Sequence, residues 1–212
     1  MKHTITVKEA AWLAKAAYNA RKRNASKTPL PETAGVFLFE GRALVVSTDS
    51  HRLHAVRLGP CGLPDTAGVP LPKSSGRLLC VLDAAFAANT AKSLKADVVS
   101  LNLEDPSVSF LHASGTELLR HPLEVPSDER WYDSVLGVAL RESSTGGAGP
   151  VQNACFWVNA QYFADAAMCA SDGKVHVRVR DGLKPLLIEP YDGDRWFSLV
   201  MPMNGPRREG TK

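Results

Sequence analysis

Long apolar runs are missing from this 212-residue chain. None approaches the roughly 20 residues that a membrane-spanning helix requires, so no membrane role is expected. Cysteine is scarce. Cys61, Cys80, Cys155 and Cys169 show no C-x-x-C spacing, which argues against a zinc site and gives no sign of a disulfide framework. They read as reduced thiols of a cytoplasmic protein. The opening Met1-Lys2-His3-Thr4 leads into an amphipathic segment rather than the apolar block of a signal peptide. H-E-x-x-H, a nucleophile elbow, a P-loop and G-x-G-x-x-G are absent as well. The chain therefore carries no enzyme signature, and no cofactor is expected.

Charge of one sign is also in short supply. Lysine and arginine total 25 against 22 aspartates and glutamates, a net charge of +3, too small to signal nucleic acid by itself. The distribution says more. Lys15, Arg21, Lys22, Arg23 and Lys27 cluster in or just after the first predicted helix, and Arg207, Arg208 and Lys212 make a second basic spot. Either cluster reads as solvated surface or, for the helix, as a phosphate-facing surface. His51-Arg52-Leu53-His54 is an H-x-x-H beside Asp49. On a strand, positions i and i+3 point to opposite faces, whereas zinc needs three or four convergent ligands. No metal site is expected there.

What is present is a hydrophobic fraction of 44% and one pattern, helix followed by strands, used three times. Thr6 and Glu9 form a capping-box signature, and a helix follows to about Arg23 with Ala10, Leu13, Ala14, Ala17 and Tyr18 on one face. Strands are predicted at 35–40 and 43–48, with 54–58 continuing extended. A Gly/Pro-rich connector, 59–72, precedes a second helix at 81–95 with Leu82, Ala85, Phe86 and Leu94 apolar. Strands at 98–103, 108–112 and 117–125 follow. Ser143 to Pro150 reads as a linker. The third unit has a strand at 156–158, an Asn159 N-cap, a helix at 160–170, and strands at 175–180, 186–188 and 196–201. The domains expected are 1–136, made of halves 1–68 and 69–136; a Gly/Ser-rich linker, 137–152; a half domain, 153–204; and a basic tail, 205–212.

Two segments carry a family resemblance. Thr48-Asp49-Ser50-His51-Arg52-Leu53 ends the strand-turn-strand that starts at Gly35, and Val200-Met201-Pro202-Met203 lies near the C-terminus. Together they resemble the bacterial DNA polymerase III β sliding clamp family, with its T-D-G-H-R-L signature and its terminal M-P-M. Serine stands at position 50 where the family has glycine. Asn159-Ala160-Gln161-Tyr162 is similar to the N-x-x-Y that opens a helix in the family's last domain. A family chain has three domains of two units each, whereas three units here equal one and a half. The positions expected to carry a proline and an arginine around Val135 read Arg130 or Trp131 and Ser134, and Asn204 follows Met203 where the family has a basic residue.

The resemblance implies an α+β, DNA-clamp-like fold with helices packed on antiparallel sheets. It implies a non-enzymatic replication processivity factor that contacts duplex DNA independently of sequence and tethers a polymerase, or another protein with a clamp-binding motif, through an apolar cleft. A clamp loader and a homo-oligomer follow from the same resemblance. The cleft residues implied are Thr48, Ser50, His51, Arg52, Leu53, Val135, Leu136, Val200, Met201, Pro202 and Met203. The DNA-facing residues are Lys15, Arg21, Lys22, Arg23, Lys92 and Lys95. The third helix has no lysine or arginine and carries Asp165, so it is expected to repel phosphate or stay neutral. The alternative is an adaptor, or a competitor, that captures clamp-binding peptides without encircling DNA, its third unit on a flexible tether.

Overall fold

The structure, a computed structural model, describes residues 2–23, 34–39, 42–49, 51–60, 77–125, 157–170, 172–179, 184–191 and 195–203; side chains 18–23, 39, 60 and 77 are excepted. The first strand, β1 (Lys2–Thr6), runs directly into α1 (Val7–Arg23). The predicted capping box makes that junction: the Thr6 N–H donates to Glu9 Oε2 at 2.7 Å and the Glu9 N–H to Thr6 Oγ1 at 3.0 Å. Strands β2 (Ala34–Phe39), β3 (Arg42–Thr48), β4 (Arg52–Pro60) and β5 (Arg77–Leu82) follow, then α2 (Ala84–Leu94) and strands β6 (Val98–Asn102), β7 (Ser107–Leu111) and β8 (Glu117–Pro122). The last part holds α3 (Ala160–Ala167), β9 (Val175–Arg178), β10 (Leu186–Pro190) and β11 (Trp196–Val200).

The strands form two antiparallel sheets. One has the order β1-β6-β7-β8 and the other β5-β2-β3-β4-β11-β10-β9. The first strand of each of the first two repeats therefore crosses into the other's sheet, β1 onto β6 and β5 onto β2. The third repeat extends the longer sheet, because β11 pairs with β4 from Trp196↔Val56 to Val200↔Arg52. Helices α1 and α2 pack together. Their small residues Ala10, Ala84, Ala87 and Ala91 are buried in the main core, which joins the helices to both sheets. The longer sheet carries a second buried cluster, including Phe37, Leu44, Val46, Leu53, Ala55, Phe197 and Leu199. Both of its faces are apolar, which explains why its strands read as continuous apolar runs and not as alternation.

Two expectations about elements are corrected. β1 was not foreseen; its exposed-buried alternation is short and adjoins the helix signal. The helix expected at 81–95 begins later. Val81 and Leu82 belong to β5, and Asp83 is the N-cap, its side chain accepting from the Phe86 N–H. Leu82 is thus a strand residue in the core. The helix ends at Lys95, whose φ of 53° is left-handed. Of the predicted strand 156–158, Trp157 makes one isolated bridge, to Met203. The linker at 137–152 lies outside the described residues.

Candidate functional site

The turn between β3 and β4 is built by its own polar side chains. Asp49 Oδ1 accepts from the N–H groups of His51 and Arg52, each at 3.0 Å, and Thr48 Oγ1 donates to the Arg52 carbonyl at 2.7 Å. Such side-chain-to-backbone bonds are the ordinary way an aspartate shapes a tight turn. The turn delivers Arg52 inward. Its side chain is fully buried and reaches three elements. Nε bonds Asp49 Oδ2 at 3.3 Å, Nη1 bonds Asp165 of α3, and Nη2 donates to the Lys15 carbonyl of α1 at 2.7 Å. The guanidinium also lies over the Tyr162 ring, 4.6 Å from its centroid.

Asp165 is buried, with Gln161 Nε2 donating to its second oxygen at 3.0 Å. Burial pushes its pKa up. The hydrogen bonds of Arg52 and Gln161 and the charges of Arg52 and Lys15 outweigh burial, and the net pKa lies below the usual carboxylate value. Of the two outcomes expected for this helix, repelling phosphate or staying neutral, the pairing favours the second: the Asp165 charge points into the fold and is matched by Arg52. Behind this pair the Trp12 indole N–H donates to the Asp165 carbonyl at 2.8 Å and stacks on His54 at 4.2 Å. Burial holds the His54 pKa down at about 3, so the imidazole is neutral. His51, three residues earlier, is exposed, with its ring 6.2 Å from that of Tyr162. His51 lies in the turn before β4 and is exposed, whereas His54 is buried on β4, so the two histidines of the H-x-x-H do not converge.

The two motif segments, far apart in sequence, meet. β11 pairs with β4, and beyond its end the Met201 N–H donates to the His51 carbonyl at 2.8 Å. The Met203 N–H donates in turn to the Trp157 carbonyl at 2.7 Å. Around this junction His51, Met201 and Met203 are exposed and Thr48 and Pro202 half-buried. Arg52, Leu53 and Val200 are buried; they support the site from beneath and present no open surface. Ser50, Val135 and Leu136 lie outside the described residues. Two residues beside the junction were not among the expected cleft residues, Tyr162 and Trp157. The N-x-x-Y similarity was a signal for Tyr162; Trp157 had none beyond its place before the helix.

The basic set divides similarly. Lys15 on α1, Lys92 on α2 and Lys95 at its end are exposed, on two helices that pack together. Arg21, Lys22 and Arg23 belong to the last turn of α1, and their side chains lie outside those described. Among the described residues no group of three or more histidine, cysteine or acidic side chains is placed to hold a metal ion.

No protein-family model matches the chain, and no curated protein does. Solved structures do. The chain is similar to the β subunit from DNA polymerase of Streptococcus pyogenes, at 11% identity and a TM-score of 0.57, over 97% of this chain and 66% of that one. It is similar to the DNA polymerase sliding clamp from Pseudomonas aeruginosa, at 14% and 0.55, over 97% and 67%. A sliding clamp (DNA polymerase III subunit beta) from Bartonella birtlesii bound to griselimycin matches at 14% and 0.54, over 96% and 66%. The chain spans about two thirds of the length of these proteins. At such identities the likeness establishes architecture alone: this chain has an α+β fold of helices packed on antiparallel sheets, the fold of the DNA polymerase III β sliding clamps.

Proposed function

We propose that this chain is a sliding-clamp-like processivity factor that contacts duplex DNA through α1 and α2 and tethers a polymerase, or another protein with a clamp-binding motif, through the junction of β4 and β11. The observation that carries this reading is the meeting of Thr48–Leu53 with Val200–Met203, which leaves His51, Met201 and Met203 exposed together. Flexible, polarisable methionines suit a surface that accommodates several partners. The exposed Lys15, Lys92 and Lys95 suit phosphate contact without base reading. No covalent chemistry is needed, because tethering acts by raising the local concentration of the partner. The seat of the third repeat in the longer sheet supports this reading over that of an adaptor on a flexible tether.

Two affinities of the same protein test it: one for a random-sequence duplex by fluorescence anisotropy, one for griselimycin by calorimetry. The triple variant Lys15→Glu/Lys92→Glu/Lys95→Glu is expected to weaken duplex binding and to flatten the dependence of log affinity on log salt by about 3. Its griselimycin affinity should match the wild type. Unchanged duplex binding overturns the DNA-facing assignment. A wild-type chain that ignores griselimycin counts against the cleft.

A further inference from the structure

The first two repeats complete each other in two ways. The first strand of each pairs with the strand that follows the other's helix, β5 with β2 and β1 with β6, and α1 packs on α2. β5 also touches its own repeat: Val81, two residues before the N-cap Asp83, bridges Glu124, just past β8. The third repeat shows only the internal half of this scheme. Trp157, two residues before the N-cap Asn159, bridges Met203, just past β11. β9 follows the helix of that repeat, and among the described residues it has no neighbour on its outer side. An unpaired edge presents a row of free N–H and C=O groups. The chain between β8 and α3, residues 123–159, is shorter than either of the first two repeats, 2–60 and 77–122.

The helix is bare where a sister helix belongs. The buried residues of α2 are its first, fourth and eighth, Ala84, Ala87 and Ala91. At the same positions α3 has Ala160, which is exposed, and Phe163 and Ala167, which are half-buried. The exposed residues of α3 and its C-cap are Ala160, Gln161, Ala164 and Met168. None is charged, three are apolar, and Gln161 gives its amide to Asp165. A helix that faces water ordinarily turns charged and polar side chains outward. Small side chains here admit a second helix at close range.

We infer that the third repeats of two copies pair about a two-fold axis, as the first two repeats pair within the chain: α3 packs on α3, and the Trp157–Val158 end of each copy lies along β9 of the other. Such an interface is self-complementary and closes on itself. In the ladder of β5 with β2, Leu82 stands opposite Ala34, the first residue of β2, and Val81 opposite Gly35. The same register sets Val158 opposite Val175 of the second copy and Trp157 opposite its His176. It also covers the Trp157 side chain, which is 59% exposed in the single chain.

Light scattering of the full chain, with a mixed-disulfide experiment, tests the pairing. Trp157→Cys and His176→Cys are each introduced into a Cys61→Ser/Cys155→Ser chain, whose remaining Cys80 and Cys169 are buried, and one variant carries a tag. Oxidised together, they should form a disulfide between the two kinds of chain; neither should do so alone. Ala164→Glu lies on the exposed side of α3 and should keep the wild-type circular dichroism. It should weaken the dimer by about a hundredfold, because it brings two carboxylates together at the contact. Ala164→Ser should stay dimeric. A wild-type chain that remains monomeric at high concentration overturns the inference. A dimer that survives Ala164→Glu and gives no mixed disulfide also overturns it, since its contact then lies on another face. Neither readout depends on binding of DNA or of a peptide.

Discussion

At the scale of single residues, the arginine of the Thr48–Leu53 motif changes its meaning once placed. A surface arginine would offer its fork to a partner. Arg52 is buried and spends its donors on Asp49, Asp165 and the Lys15 carbonyl, as buried charges must. His54 has the complementary character. Loss of water lowers its pKa from 6.5 to about 3, the bond to the Trp12 carbonyl opposes this, and the Arg52 charge adds to the lowering. As pH falls below 6.5 the unfolded chain takes up a proton that the folded chain refuses. Stability should therefore decline with acidification by about 1.4 kcal/mol per pH unit from this group. Asp165 contributes in a separate window: its folded pKa is depressed, so its stabilisation is present above 3.8 and is lost only below it. Urea midpoints measured between pH 6.5 and 4 should fall for the wild type and fall less for His54→Gln, which keeps a donor for the Trp12 carbonyl. Parallel slopes for the two proteins would disprove the assignment.

At the scale of elements, α3 shows how packing outweighs local signals. Its start was legible, because Asn159 caps it as expected, accepting from the Gln161 and Tyr162 N–H groups. Its partners were not. Asp165 showed in the sequence only as an acidic residue on a helix without basic ones, and it is the strut that fixes α3 against β4 and α1. Removing one partner of a buried pair leaves the other uncompensated. Asp165→Ala should therefore cost about 3 kcal/mol in urea unfolding. The double change Arg52→Met/Asp165→Leu should cost clearly less than the sum of the singles, since no charge is then stranded. Additive costs would show that the pair is not coupled. The start of α2 illustrates the opposite case. Val81-Leu82-Asp83-Ala84 contains both a strand end and a helix cap, and an apolar run alone does not say which residues pair laterally with β2.

At the scale of the whole molecule, the seven-stranded sheet joins the third repeat to the first through β4 and β11. Arg195 strengthens that union, bonding Glu9 at 2.6 Å and the Thr4 carbonyl at 2.8 Å. Glu9 thus serves both the capping box and the union of the repeats. Among the described residues the longer sheet ends on β9, which is four residues long and exposes His176 and Arg178. Short, charged edges resist indiscriminate pairing. The proposed function calls for several copies of the chain to surround DNA. Light scattering of the eluted full chain, over a wide concentration range, is expected to show one discrete oligomer. A monomer that persists at high concentration would rule out a self-assembled ring.

By itself the sequence determined what depends on near neighbours. The capping box at Thr6 and Glu9, the Asn159 cap, most strands of the second and third repeats, and the helix-plus-strands repeat are local patterns of hydrogen bonding and periodicity. The motif resemblance supplied the α+β fold. The tertiary structure alone decided what depends on residues distant in the chain. It sent β1 to β6 and β5 to β2, turned Arg52, Leu53 and Val200 inward, paired Asp165 with Arg52, and left Trp157 in water beside Met203. Burial and charge pairing are properties of neighbours in space, and no local spacing in this chain encodes which neighbours those are.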